Sequence, residues 1–351
     1  MSLLFNKADN WLAKELPFVV YRKPNDNEVC GFFQPNDTVF KEKNFFKSGF
    51  IFSPFDSDKS NIFFSEEESE FIKEEIANLD FKIRSIEFDE VDDSQQHKEL
   101  VRKGIDFIRS KSIKKIVLSR KEIHTLSSIN IIESFKNLLS LYSNAFVYLW
   151  YHPKIGLWLG ATPETLISLK NNNFTTIALA STQSYKGSLD VVWGQKEVDE
   201  HKYVIDFISN NLEKLLQENV ISNFSVSKTK TVKVADLLHL KAIISGSINS
   251  VNLKKIVDSL HPTPAVCGLP KDLAKEFILE NENYDRNFYT GYLGEININH
   301  SSNLFVNLRC AEINNNDLLI YVGGGITAQS SLEKEWIETV NKTVTIKKAI
   351  I

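Results

Sequence analysis

The sequence predicts an α+β fold in which large antiparallel sheets carry helices packed on their outer sides. Three observations lead there. Strand-like runs come in groups joined by short Asn-rich turns, as at Asn171-Asn-Asn173 and Asn314-Asn-Asn-Asp317. Helical stretches interrupt those groups instead of alternating with single strands. The 351 residues are 42% apolar and 25% charged, which is globular composition with ample core.

The elements follow in order. Residues 1–90 hold fifteen of the 24 Phe but only two of the 14 Gly. They read as short strands and loops, such as Val29–Phe33 and Ser48–Phe52, followed by an acidic helical stretch at Ser65–Leu79. Gln95–Ser110 has Leu100, Val101, Ile105 and Ile108 on helical spacing. Ile113–Ile123 alternates as a strand, Asn130–Tyr142 is a helix and Ala145–Tyr151 a buried strand. Strands are expected near Gly156–Gly160, Thr165–Leu169 and Phe174–Thr182, then the longest helix at Lys196–Asn219. Further strands fall at Ile221–Val234, Ala242–Ile248, Tyr289–Ile298, Leu304–Ile313 and Leu318–Ile326. A last helix starts near Ser331, where Ser330 and Glu333 have capping-box spacing.

Composition excludes several function classes. Lys and Arg total 41 against 45 Asp and Glu, a net charge of −4, so nothing draws the chain to nucleic acid or an anionic membrane. The longest apolar run, Ala145–Tyr151, is seven residues, where a membrane helix needs roughly 20. The first ten residues show no basic segment leading into an apolar stretch, so no secretory signal is expected. Cys30, Cys267 and Cys310 are odd in number and far apart, which fits neither a disulfide framework nor a CxxC zinc site. A soluble, cytoplasmic protein without nucleic-acid or membrane partners is the expectation.

Five constellations could carry chemistry. Glu197 and Glu200 share a face of the long helix with Val204, Ile208 and Leu215, and Glu335 and Glu338 repeat that spacing on the last helix, with Lys342 one turn on. Acidic pairs at this spacing commonly mark solvated helix faces. If they point inward instead, four carboxylates form an all-oxygen donor set that suits Mg²⁺ better than zinc. Lys115, in Lys115-Ile-Val-Leu-Ser-Arg120, is either a charge guarding a sheet edge or a desolvated lysine able to act as a base. Gly160-Ala-Thr-Pro-Glu164 is either a simple Pro turn or one that presents its carboxylate to a site. Leu260–Pro270 is too rich in Pro for regular structure and too apolar for a solvated loop. Arg286, Tyr289, Gly291, Gly294, Arg309 and Gly323-Gly-Gly325 combine anion-binding arginines with glycines that admit close backbone approach. His239 and His261 have no metal-ligand spacing and read as hydrogen-bonded structural histidines.

Taken together, these segments resemble the chorismate-utilising enzymes, which include isochorismate, salicylate, anthranilate and aminodeoxychorismate synthases. The matching blocks are Lys115–Arg120, Gly160–Glu164, Ala178–Thr182, Lys196–His201, His239-Leu240, Leu260–Pro270, Arg286–Gly294, Leu308–Glu312 and Gly323–Lys342. They stand in the family's order over about the last 240 residues. The resemblance implies a chorismate-binding catalytic region at 91–351, with 1–90 a variable, Phe-rich part of the same fold. Family members that use water as nucleophile carry lysine where Lys115 stands, and amine-transferring members carry glutamine. Aminodeoxychorismate synthases place a nucleophilic lysine where this chain has Ala180, and an alanine cannot do that chemistry.

The resemblance therefore points to isochorismate synthase, with no glutaminase subunit. Salicylate synthase is the alternative within the family, and a non-catalytic chorismate-binding protein the alternative outside catalysis. Isochorismate of this kind feeds menaquinone or catechol siderophore biosynthesis. By resemblance Lys115 is the base, Glu164 the acid, and Mg²⁺ is held by Glu200 and Glu338 with Glu197 and Glu335 in support. Thr182, His239, Tyr289, Arg309, Gly323, Gly324 and Lys342 are the implied substrate contacts. One departure stands out. The family usually reads Ala-Gly-Thr where this chain has Ala180-Ser-Thr182, so the Ser181 hydroxyl either replaces a water or narrows the pocket.

Overall fold

A computed structural model describes residues 2–76, 86–89, 91, 93–111, 113–234, 237–249 and 252–351. Helix α1 (Leu3–Ala13) leads into strands β1 (Phe18–Arg22), β2 (Glu28–Phe33), β3 (Gly49–Ser53), β4 (Ile62–Ser65) and β5 (Glu70–Glu75). Next come helix α2 (Ser94–Lys111), strand β6 (Lys115–Thr125) and helix α3 (Ile131–Leu141). Strands β7 (Phe146–His152), β8 (Gly156–Thr162), β9 (Thr165–Lys170) and β10 (Asn173–Ser184) run on to the long helix α4 (Gln195–Gln217). Strands β11 (Ile221–Val226), β12 (Lys230–Val234) and β13 (Leu237–Ile248) follow. Helices α5 (Leu253–Leu260) and α6 (Lys271–Asn281) flank the two-residue strand β14 (Gly268–Leu269). The remainder is β15 (Tyr292–Ile298), β16 (Ser301–Val306), β17 (Cys310–Asn314), β18 (Asp317–Ile326) and helix α7 (Leu332–Lys347).

The strands form two sheets of nine, and the described pairings are antiparallel. One runs β14-β6-β18-β17-β8-β7-β1-β2-β5; the other runs β11-β13-β10-β9-β16-β15-β3-β4, with β12 also on β13. Strand alternation sets the layers. In β7, Val147 and Leu149 turn outward to α1 and α3, while Phe146, Tyr148 and Trp150 turn inward. The inner layer is aromatic: Tyr21, Phe32, Phe50, Phe52, Phe64, Trp158 and Phe288 join the two sheets there. Helix α4 covers the second sheet through Val204, Ile208, Leu212 and Leu215, the stripe its spacing dictates. The Phe-rich first part is thus woven into both sheets, through β1, β2 and β5 in one and β3 and β4 in the other.

Four local expectations change. The acidic stretch expected as a helix over Ser65–Leu79 contains the edge strand β5, which pairs with β2; residues 77–79 lie outside the described residues. Its charges suit an edge, where they discourage further pairing. Leu304–Ile313 is two strands, because the chain passes from one sheet to the other between β16 and β17, with Arg309 at φ +49°. Ile221–Val234 is likewise two strands, both on β13. The N-cap of α7 is Ser331 and makes no side-chain cap bond; Ser330 Oγ instead accepts from the Thr327 amide at 3.0 Å.

Candidate active site

The inward-facing side chains do not fill the whole space between the sheets. A cavity of about 520 Å³ opens where β6, β8 and β18 of one sheet face β10 and β13 of the other, closed by α4, α7 and the 261–267 segment. Lys115, Glu164, Thr182, Glu197, Glu200, His239, Tyr289, Arg309, Gly323, Glu335, Glu338 and Lys342 all line it. Of the site residues the resemblance implies, only Gly324 does not; a Cβ on it would meet Glu335 and Glu338. Arg286, Gly291 and Gly294 also lie outside the lining.

Lys115 is the first residue of β6, an interior strand between β14 and β18, so it guards no edge. It is 5% exposed, and its Nζ donates to Glu200 Oε1 at 2.5 Å. Glycine at 325 makes this possible, since a Cβ there would stand 2.6 Å from Lys115 Cε. Glu164 projects from the turn between β8 and β9. Its amide donates to Thr162 Oγ1 at 3.3 Å and its carbonyl accepts from the Val306 amide at 2.9 Å, which fixes the turn. The residue is half-buried and lines the cavity. Burial raises its pKa to about 7, with Lys115 and Lys342 pulling in the opposite direction.

The two helical acid pairs both face inward, so they are not solvated faces. Glu335 is buried. A Cβ on Gly324 would lie 3.4 Å from Glu335 Oε2 and 3.7 Å from Glu338 Oε1, and one on Gly325 would lie 3.4 Å from Glu200 Oε1. Three carboxylates therefore gather over two successive glycines. Glu338 Oε1 also accepts from Lys342 Nζ at 2.7 Å, and Lys342 donates to the Gly323 carbonyl at 2.8 Å. Glu197 is turned back over the first turn of α4, its Oε2 2.5 Å from where a Cβ of Gly194 would stand. As they stand, no three His, Cys, Asp or Glu among the described residues form a ready-made metal cluster. The donor set is nonetheless all-oxygen and open to a hard cation.

The same cavity also holds Arg309, Tyr289 and His239. Arg309 donates to Thr345 Oγ1 at 3.2 Å and forms no ion pair among the described residues; burial lowers its pKa. Tyr289 is buried and stacks on Tyr321 at 5.5 Å, with its hydroxyl against Gly323. His239 is held neutral, with burial pushing its pKa down to about 4. Its Nδ1 donates to the Ser181 carbonyl at 2.8 Å, which leaves Nε2 as an acceptor. Arg286, by contrast, is committed elsewhere. It binds both oxygens of Glu282 at 2.7 and 2.6 Å and the carbonyls of Val117 and Val266. His261 is structural as expected, bonded to the Thr290 carbonyl at 2.9 Å. Sequence reasoning did not single out Ala265, Val266 and Leu308 as lining residues. The Pro-rich, apolar Leu260–Pro270 segment was the signal available for the first two.

Comparison with known proteins places this arrangement. The model of the chorismate binding enzyme family matches residues 52–351. The isochorismate synthase DhbC of Bacillus subtilis is 30% identical over 279 residues, covering 74% of this chain and 69% of DhbC. Anthranilate synthase component 1 of Thermococcus kodakarensis is 27% identical over 264 residues, covering 72% of this chain and 59% of that protein. The solved structure of MenF, the menaquinone-specific isochorismate synthase of Escherichia coli, shares the fold with a TM-score of 0.81. That match has 20% identity and covers 99% of this chain and 91% of MenF.

Proposed function

The chain belongs to the chorismate-binding enzyme family, and we propose that it is an isochorismate synthase. It is an isomerase that converts chorismate to isochorismate by adding water at C2 and releasing the C4 hydroxyl. The observation that carries this reading is the presence of Lys115 and Glu164 in one cavity. A lysine that can exchange a proton with water and a carboxyl whose pKa is raised to about 7 supply an acid–base pair in one site. Lys115 also separates this chain from amine-transferring relatives, which carry glutamine there.

The reacting groups divide the work. Lys115 Nζ takes a proton from the water attacking C2, and Glu200 accepts a hydrogen bond from the ammonium that results. Glu164, protonated, gives its proton to the C4 hydroxyl, which leaves as water while the ring double bond shifts. Proton return from Lys115 to Glu164 through solvent closes the cycle. Arg309, Tyr289 and Lys342 hold the substrate's carboxylate and enolpyruvyl oxygens. Thr182, the backbone of Gly323 and the Nε2 acceptor of His239 complete the pocket, with Gly324 leaving room for the acids behind it. Mg²⁺ held by Glu200 and Glu338, supported by Glu197 and Glu335, would neutralise the ring carboxylate and fix the ring.

The test is incubation of the pure protein with chorismate and Mg²⁺ and resolution of the products. Isochorismate alone is expected. Salicylate with pyruvate would move the reading to salicylate synthase, and absence of turnover would leave only a chorismate-binding role.

A further inference from the structure

The longest helix in the cavity wall begins without a cap of its own. Its N-cap is Gly194, which supplies no side-chain hydrogen bond, and the segment before it is open to solvent, with Val192 91% exposed. A first turn without a side-chain cap frays readily. This turn, however, carries Glu197 and leads to Glu200, which must meet Lys115. Something outside α4 has to hold it.

Ser181 does so. It sits at φ +64°, where a non-glycine residue is strained, at an irregularity in the β10–β13 pairing between Ala180 and Gln183. Its hydroxyl donates to the Glu197 carbonyl at 2.6 Å. Its carbonyl, aimed by the same left-handed conformation, accepts from His239 Nδ1 at 2.8 Å. Ser181 lines the cavity, and its hydroxyl is bonded to the first turn of α4. One residue ties the first turn of α4 and the ring of His239 to a single point on β10.

We propose that Ser181 is a positioning residue that holds the start of α4 in register with the cavity, a role that a glycine at this position has no side chain to perform. The functional readout rests on the isochorismate synthase reading, whereas the structural readout does not. Ser181→Gly separates strain from function, because glycine takes φ +64° freely. That variant should unfold at a temperature no lower than the parent, yet exchange its backbone amide hydrogens at residues 198–201 faster. Ser181→Ala should show the same exchange without the relief of strain. The KM for chorismate should rise in both by about three- to tenfold, the loss expected for one hydrogen bond, with kcat changed less than KM. Unchanged exchange at 198–201 in both variants overturns the proposal, whether or not the parent turns over chorismate. Faster exchange with an unmoved KM overturns the functional half and leaves no positioning role.

Discussion

The two sheets meet in two different ways. Around β1, β3 and β7 the space between them is packed with rings: Phe52 stacks on Phe288 at 4.2 Å and meets Trp150 edge-on at 5.2 Å. Around β6, β10, β13 and β18 the same space stays open as a cavity lined by lysines, carboxylates and Arg309. The difference separates rigidity from chemistry. Aromatic burial fixes the spacing of the sheets at one end. That allows the other end to keep charged groups, close glycine contacts and a residue at φ +64°, all of which cost stability.

The comparison can be broken most sharply from the charged end. Lys115→Gln and Glu164→Gln should each reduce turnover by at least about a hundredfold, with the native circular dichroism spectrum retained. A near-normal rate in either would remove its assigned role. From the packed end, Phe52→Ala should cost about 3–5 kcal/mol in urea unfolding, while the protein that remains folded keeps its KM. A large change in KM there would mean the two ends are not separable. Glu338→Ala should raise the half-saturating Mg²⁺ concentration by about tenfold or more; an unchanged metal titration would take Glu338 off the ligand set.

The smallest effect is a pH dependence. Glu164 acts as an acid, so kcat/KM should fall as pH rises through about 7, where its carboxyl deprotonates. The same raised pKa makes a sign prediction for folding. The folded state binds the proton more tightly than the unfolded chain, so this contribution to stability is full below the ordinary 4.5 and is lost as pH rises through about 7. Glu164→Gln should remove that component from the pH–stability curve, and an identical curve in the variant would contradict it.

Much of this was legible in the sequence, for physical reasons that differ by element. The long helix and its inward acids follow from 3.6-residue spacing, since Glu200 lies on the same stripe as Val204 and Ile208. Lys115 was readable as chemistry because six residues around it match a known pattern, but whether it lay on an edge depended on β14, a strand of two residues. The acidic β5 imitates a surface helix because an edge strand and a solvated helix both favour charge. The break at Asn307–Arg309 was hidden because apolar alternation continues through it while the chain changes sheets. Ser181 gave no local sign of its left-handed backbone; only the departure from a usual glycine marked the place.

The central claim is that water attacks C2 and a different oxygen leaves from C4, driven by Lys115 and Glu164. It is tested most directly by running turnover in heavy-oxygen water and locating the label by mass spectrometry. The account predicts one labelled oxygen, in the C2 hydroxyl of isochorismate. Product that forms at the normal rate with no label would contradict it.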